Sequence, residues 1–144
     1  MTAPLRQAKA LLTDGGYTCV VCKDDRIHTS TRRGVQPLMM LLEKGTDVGG
    51  FYAADKVVGK ATAFLYVRLG VAAVYAAVIS EAAVAVLQEH GVAVESDRVV
   101  PFIINRRGDG MCPFEAAVTE VTDPAKAYAV IRRKMEEMHI PVTE

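Results

Sequence analysis

The 144-residue chain lacks an excess of charge of either sign: seventeen basic residues meet seventeen acidic ones. A balanced surface excludes the electrostatic footprint of a nucleic-acid binder and of a polybasic membrane anchor. Cysteine is scarce too, and three is an odd number, so a disulfide framework is excluded and a reducing compartment fits better. The start, MTAPLRQAKALL, has no long apolar core of the signal-peptide kind, and the most apolar region, 61–79, is interrupted by Arg68 and Gly70. A cytoplasmic protein without a membrane segment is the expectation. Repeats, linkers and low-complexity segments are absent, and 51% hydrophobic residues are ample for one core, so residues 1–144 read as one domain. The expected partners are a small-molecule ligand, nucleotide-like or phosphate-bearing, and a second copy of the chain.

Cys19 and Cys22 form a C-x-x-C within YTCVVCK, a strand-like run. Residues three apart on a strand point to opposite faces, so the two thiols do not converge, and no second pair completes four zinc ligands. His28, His90 and His139 are scattered without metal-ligand spacing. No metal and no cofactor is expected.

The stretch 51–69, FYAADKVVGKATAFLYVRL, carries Val57, Ala61, Phe64, Leu65 and Leu69 at helical spacing and predicts a central helix. On that prediction Asp55 and Lys56 fall in its first turn, with Lys60 one turn on. Lys56 opposes the helix dipole and forms a like-charge pair with Lys60, an arrangement that points to a bound anion at the helix N-terminus.

Around it, 3–12 reads as a helix stopped by Gly15-Gly16, 17–23 and 26–31 as a hairpin about Asp24-Asp25, and 34–44 as a helix with Pro37 in its first turn. The Ala- and Val-rich run 71–79 predicts a strand buried on both faces, followed by a helix capped by Ser80. Val92 to Val94 and Val99 to Ile104 read as two strands about a Glu95-Ser96-Asp97 turn. Asp123-Pro124 opens a last amphipathic helix containing Tyr128, Ile131, Met135 and Met138. A buried strand between helices implies an α/β layered domain.

Three further stretches are candidates. In MCPFE, Cys112 stands at a helix cap, Pro113 in the first turn and Glu115 where it complements that helix's dipole, and a thiol there is a usable nucleophile. The run Thr29-Ser30-Thr31-Arg32-Arg33 offers hydroxyls and guanidinium groups ahead of a helix, as a phosphate loop does, or is a solvated loop. Asn105-Arg106-Arg107, between a strand and a Gly-rich turn, has the same two readings.

ADKVVGK (54–60), VVPFIINR (99–106) and MCPFE (111–115), in this element order, resemble an uncharacterised prokaryotic family assigned to the cytidine deaminase-like fold. The resemblance implies a three-layer α/β/α sandwich with a mixed sheet of about five strands, and it lends no activity. Zinc deaminases place a His or Cys and a Glu at the start of the central helix and Pro-Cys-x-x-Cys at the start of a later one. In the implied register these fall on Ala53-Ala54-Asp55 and Ile79-Ser80-Glu81-Ala82-Ala83, where Ala53, Ser80 and Ala83 replace the ligands and Asp55 stands in for the Glu. The expectation is a metal-free, deaminase-like domain with Asp55 and Cys112 as candidate catalytic groups. Lys56, Lys60, Ser80, Asn105, Arg106 and Glu115 are the candidate ligand-binding groups. The alternatives are a non-zinc enzyme using Asp55, Lys56 or Cys112, and an interaction module without a ligand.

Overall fold

The computed structural model describes residues 1–142. Helix α1 (Ala3–Gly15) buries Leu5, Ala8 and Leu12, one stripe at helical spacing, and ends where Gly16 turns left-handed at φ 68°. Strands β1 (Cys19–Lys23) and β2 (Arg26–Ser30) form the hairpin, and α2 (Gln36–Glu43) follows with Pro37 in its first turn. Then come β3 (Tyr52–Val58), α3 (Lys60–Leu69), β4 (Ala73–Ser80), α4 (Glu81–Glu89) and β5 (Ala93–Val100). The short α5 (Pro113–Ala117) and the long α6 (Pro124–Glu137) complete the order.

The five strands make one mixed sheet in the order β2-β1-β3-β4-β5, with β1 antiparallel to both neighbours and β3, β4 and β5 parallel. Strand order advances steadily from β3 to β5, and crossovers of one hand then put successive helices on one face. Val21, Ala53, Val74 and Ala76 accordingly pack with Phe64 and Leu65 of α3 and Leu87 of α4, in a core that continues outward to Ile131 and Met135 of α6. On the other face Val20, Cys22, Ala54, Ala73 and Tyr75 pack against α1. The α/β layering with helices on both faces is as expected, and Cys19 and Cys22 do lie in opposite cores.

Two expectations are corrected. The stretch 51–69 is not one helix: its first half is the central strand β3, and only its second half, from Lys60, is helical. Ala61, Phe64, Leu65 and Leu69 are buried as the helical spacing requires, but Val57, counted with them, is 43% exposed on the strand. Gly59, in extended conformation, separates the two elements. Asp55 and Lys56 are therefore strand residues, and the helical like-charge argument for Lys56 and Lys60 falls with the helix. Ala53-Ala54-Asp55 cannot be a helix start either.

In 92–104 one strand, Ala93–Val100, replaces the two expected, and Ile104 forms only an isolated bridge with Met111. Glu95-Ser96-Asp97 does not turn, because it continues the parallel ladder with β4, Glu95 opposite Tyr75 and Ser96 opposite Ala76; on this edge strand Glu95 also lies 3.9 Å from the N-terminus and Asp97 3.8 Å from Lys9. Pro101, which cannot donate to a ladder, follows the last strand residue.

Candidate functional site

Ser30, Cys19, Asp55, Ala76 and Ser96 stand in one row across the sheet, one residue from each strand. Beyond that row lie the carboxyl ends of β2, β3, β4 and β5, which all run in one direction. In open α/β sheets, loops and helix N-termini converge on this rim. The sequence candidates fall into three places along it.

Asp55 is 7% exposed and points into the layer under α3. The Tyr66 hydroxyl donates to its Oδ2 at 2.7 Å and the Val57 N–H to its Oδ1 at 3.3 Å. With its proton directed at Asp55, the Tyr66 oxygen is left to accept from the Cys19 thiol, 3.4 Å away. Burial pushes the Asp55 carboxyl up to about 7, against the opposing pull of the Tyr66 and backbone hydrogen bonds. Burial first, and the Asp55 charge second, also raise Cys19 and Tyr66 well above their ordinary values. The trio is a closed, buried chain of hydrogen bonds. Cys19 is thereby held as a thiol.

The second place is the junction of α3 and α4. Glu115, 5% exposed, stands in the first turn of α5 as expected, and its Oε1 also reaches two other helices, accepting from the Lys60 N–H at 3.2 Å and from the Ser80 hydroxyl at 3.0 Å. Ser80 Oγ in turn accepts from the Ala83 N–H at 3.2 Å, so one hydroxyl caps α4 and holds Glu115. The N-terminus of the central helix, where an external anion was expected, thus carries a carboxylate of the chain itself. Gly59 makes the approach feasible, since a Cβ there would stand 2.2 Å from Glu115 Oε2. Lys60 turns its ammonium away to the Thr119 carbonyl at 2.9 Å. Lys56 is exposed on β3 and contributes its backbone N–H to Thr18. Cys112 is the half-buried N-cap of α5, with no side-chain capping bond.

The third place is a cavity of about 720 Å³ lined by Thr29, Ser30, Thr31, Arg32, Arg33 and Arg106, with Tyr17, Gln36 and Ile140 completing it. It joins two segments that sequence reasoning treated separately, the hydroxyl- and Arg-rich run after β2 and the Arg106 turn. Asn105 shapes that turn: its Oδ1 accepts from the Gly108 and Asp109 N–H groups, and its amide donates to Asp109 at 2.9 Å. Among the described residues neither Arg33 nor Arg106 meets a carboxylate at ion-pair distance, and the cavity wall contains no acidic side chain. Tyr17, Gln36 and Ile140 carried no signal in the sequence, because only the fold brings the chain ahead of β1, the first residue of α2 and the chain after α6 to this rim.

The structure therefore unites Lys60, Ser80 and Glu115, places Asp55 apart with Cys19 and Tyr66, and gives Arg106 to the cavity. Among the described residues no group of three or more His, Cys, Asp or Glu side chains is arranged to hold a metal ion, and no helix is long and apolar enough to cross a membrane.

Residues 7–135 match the family model of TM1506, a domain of unknown function (DUF1893). The chain belongs to the DUF1893 family. The crystal structure of the DUF1893 family protein TM1506 from Thermotoga maritima is similar with a TM-score of 0.85 at 27% identity, over 93% of this chain and 91% of that one. A diaminohydroxyphosphoribosylaminopyrimidine deaminase/5-amino-6-(5-phosphoribosylamino)uracil reductase from the same organism gives a TM-score of 0.43 at 16% identity, over 81% of this chain and 40% of that one. No curated protein matches the chain.

Proposed function

We propose that this DUF1893 domain binds a small phosphate-bearing molecule in the cavity between the 29–33 run and the Arg106 turn. One observation carries the reading: guanidinium groups from two distant segments, Arg33 and Arg106, line one cavity together with the hydroxyl-bearing Thr29, Ser30 and Thr31, and no carboxylate of the described chain answers them. Guanidinium is the side chain best matched to phosphate oxygens, through paired N–H donors, and hydroxyls add further donors. The volume falls within the roughly 300–1,000 Å³ of small-molecule sites, larger than a lone phosphate needs. Tyr17 and Ile140 supply apolar wall for the remainder of the ligand, which suits a nucleotide or a sugar phosphate. The location at the carboxyl end of the co-directional strands agrees with where α/β sheets take ligands.

A thermal-shift panel of inorganic phosphate, mononucleotides and sugar phosphates tests this. A ligand at about a hundred times its Kd stabilises by roughly 2.7 kcal/mol, a shift of several degrees for a domain of this size. The parent protein responds to at least one phosphate-bearing compound, and Arg33→Ala and Arg106→Ala each lose the response. Absence of any shift in the parent, or an undiminished shift in both variants, removes the cavity from consideration.

A further inference from the structure

Among the described residues Tyr17 is the one aromatic side chain in the wall of the Arg106 cavity. It stands between α1 and β1, just after the helix has ended on Gly15 and the left-handed Gly16. Its ring lies back on that helix end: a Cβ at Gly15 would stand 2.3 Å from Tyr17 Cε2 and 2.6 Å from Cδ2, so glycine there leaves the ring its place. Tyr17 also packs against the core under α1 and is half-buried. The hydroxyl-bearing run is fastened beside it. The Thr18 N–H donates to the Ser30 carbonyl at 2.9 Å, and the Thr18 hydroxyl donates to the Ser30 and Arg32 carbonyls. These bonds extend the β1–β2 ladder past its last pair, Cys19 with Ser30, and hold residues 30–32 alongside 17–18.

Elsewhere in the fold a tyrosine of this kind is committed to the protein itself. Tyr66, Tyr75 and Tyr128 each donate the hydroxyl to a carboxylate, and Lys9 and Arg68 sit over the rings of the last two. Tyr17 differs: among the described residues its hydroxyl meets no acceptor, and no cation or second ring is stacked on it. A seated ring with a free surface, in the same wall as Arg33 and Arg106, offers a flat apolar platform next to phosphate donors. Nucleobases stack on such platforms whatever their identity, because every base has a π-face. A sugar phosphate has no such face.

We infer, on the phosphate reading of the cavity, that its ligand is a nucleotide and not a sugar phosphate, with the base stacked on Tyr17 and the phosphate held by Arg33 and Arg106. Tyr17 then sets which class of phosphate compound is taken, while the guanidinium groups set that a phosphate is taken at all. The hydroxyls of Thr29, Ser30 and Thr31, in the same wall, are available to the phosphate and the sugar.

The experiment measures dissociation constants of ribose 5-phosphate and of the common ribonucleoside 5′-monophosphates by calorimetry on the parent, Tyr17→Leu and Tyr17→Phe. At least one nucleotide binds the parent roughly tenfold or more tighter than ribose 5-phosphate, the increment that base stacking supplies. Tyr17→Leu keeps an apolar wall without a ring; it removes that advantage and leaves ribose 5-phosphate binding unchanged, whereas Tyr17→Phe keeps the advantage. If Tyr17→Leu does not fold, the parent alone decides: upfield ring-current shifts of the base protons on binding support the stacking, and their absence from a bound nucleotide overturns it. Equal binding of nucleotides and ribose 5-phosphate, equal weakening of both by Tyr17→Leu, or a nucleotide advantage that survives Tyr17→Leu overturns the role of Tyr17 while the phosphate site stands. No binding of any of these compounds overturns both.

Discussion

The Tyr66 hydroxyl donates to Asp55 Oδ2 at 2.7 Å and so ties the middle of α3 to the central strand at a buried carboxyl. Asp55 neighbours Cys19 on β1 and Ala76 on β4 in the sheet and is 7% exposed. Burial governs its protonation, and that has a measurable consequence.

The folded chain holds the Asp55 proton up to about pH 7, whereas the ordinary carboxyl releases it near 3.8. The folded state therefore binds the proton more tightly, and stability is full below about pH 4, declines as pH rises through the window to about 7, and is flat above it. The whole effect is about 4 kcal/mol. Urea unfolding from pH 4 to pH 8.5 shows this decline in the parent. Asp55→Asn keeps an acceptor for Tyr66, loses the decline, and is the more stable protein at pH 8.

Tyr66→Phe removes the donor and leaves the buried carboxylate without its strongest partner. The expected cost is about 1–3 kcal/mol and is larger at pH 8, where the carboxylate is charged, than at pH 5. Unfolding curves of parent and variant at the two pH values make the comparison.

Much of this architecture is legible in the residues. Leu5, Ala8 and Leu12, the Ala- and Val-rich run before Ser80, and Asp123-Pro124 each signal their element locally, and each element forms where its signal lies. The central strand escaped because YAADKVV is short, rich in alanine and continuous with a true helical pattern, so period alone does not divide it from α3. The Glu95-Ser96-Asp97 run imitates a turn because its composition is polar, and the ladder with β4 that makes it a strand is a tertiary pairing that no local spacing shows. For the site, Ser80 as a cap is a local fact, but the meeting of Glu115 with Lys60 and of Arg106 with the 29–33 run is tertiary. No spacing announces either.

Gly59→Ala places a methyl 2.2 Å from Glu115 Oε2 and 3.2 Å from Ile103 Cγ1, in a backbone conformation that alanine adopts freely. The cost is therefore steric and amounts to about 1–3 kcal/mol. In a double-mutant cycle the same change costs clearly less once Glu115 is alanine, because the nearest obstacle is gone.

Cys112 is half-buried while Cys19 and Cys22 lie in separate cores. Thiol labelling of the native protein modifies Cys112 first, and Cys19 and Cys22 react only as the chain unfolds. Mass spectrometry of the labelled chain locates the modified residue, and early labelling at Cys19 contradicts the closed arrangement with Tyr66 and Asp55.

Titration of inorganic phosphate and a mononucleotide into the isotope-labelled protein, with backbone amides followed by two-dimensional NMR, tests whether the Arg106 cavity takes a phosphate-bearing ligand. Binding there gives saturable shifts at residues 29–33 and 106, abolished in Arg106→Ala, with the amides of Lys60 and Ala61 unmoved because Glu115 already occupies that helix end. Shifts centred on 59–62, or no saturable shift at 29–33, would contradict it.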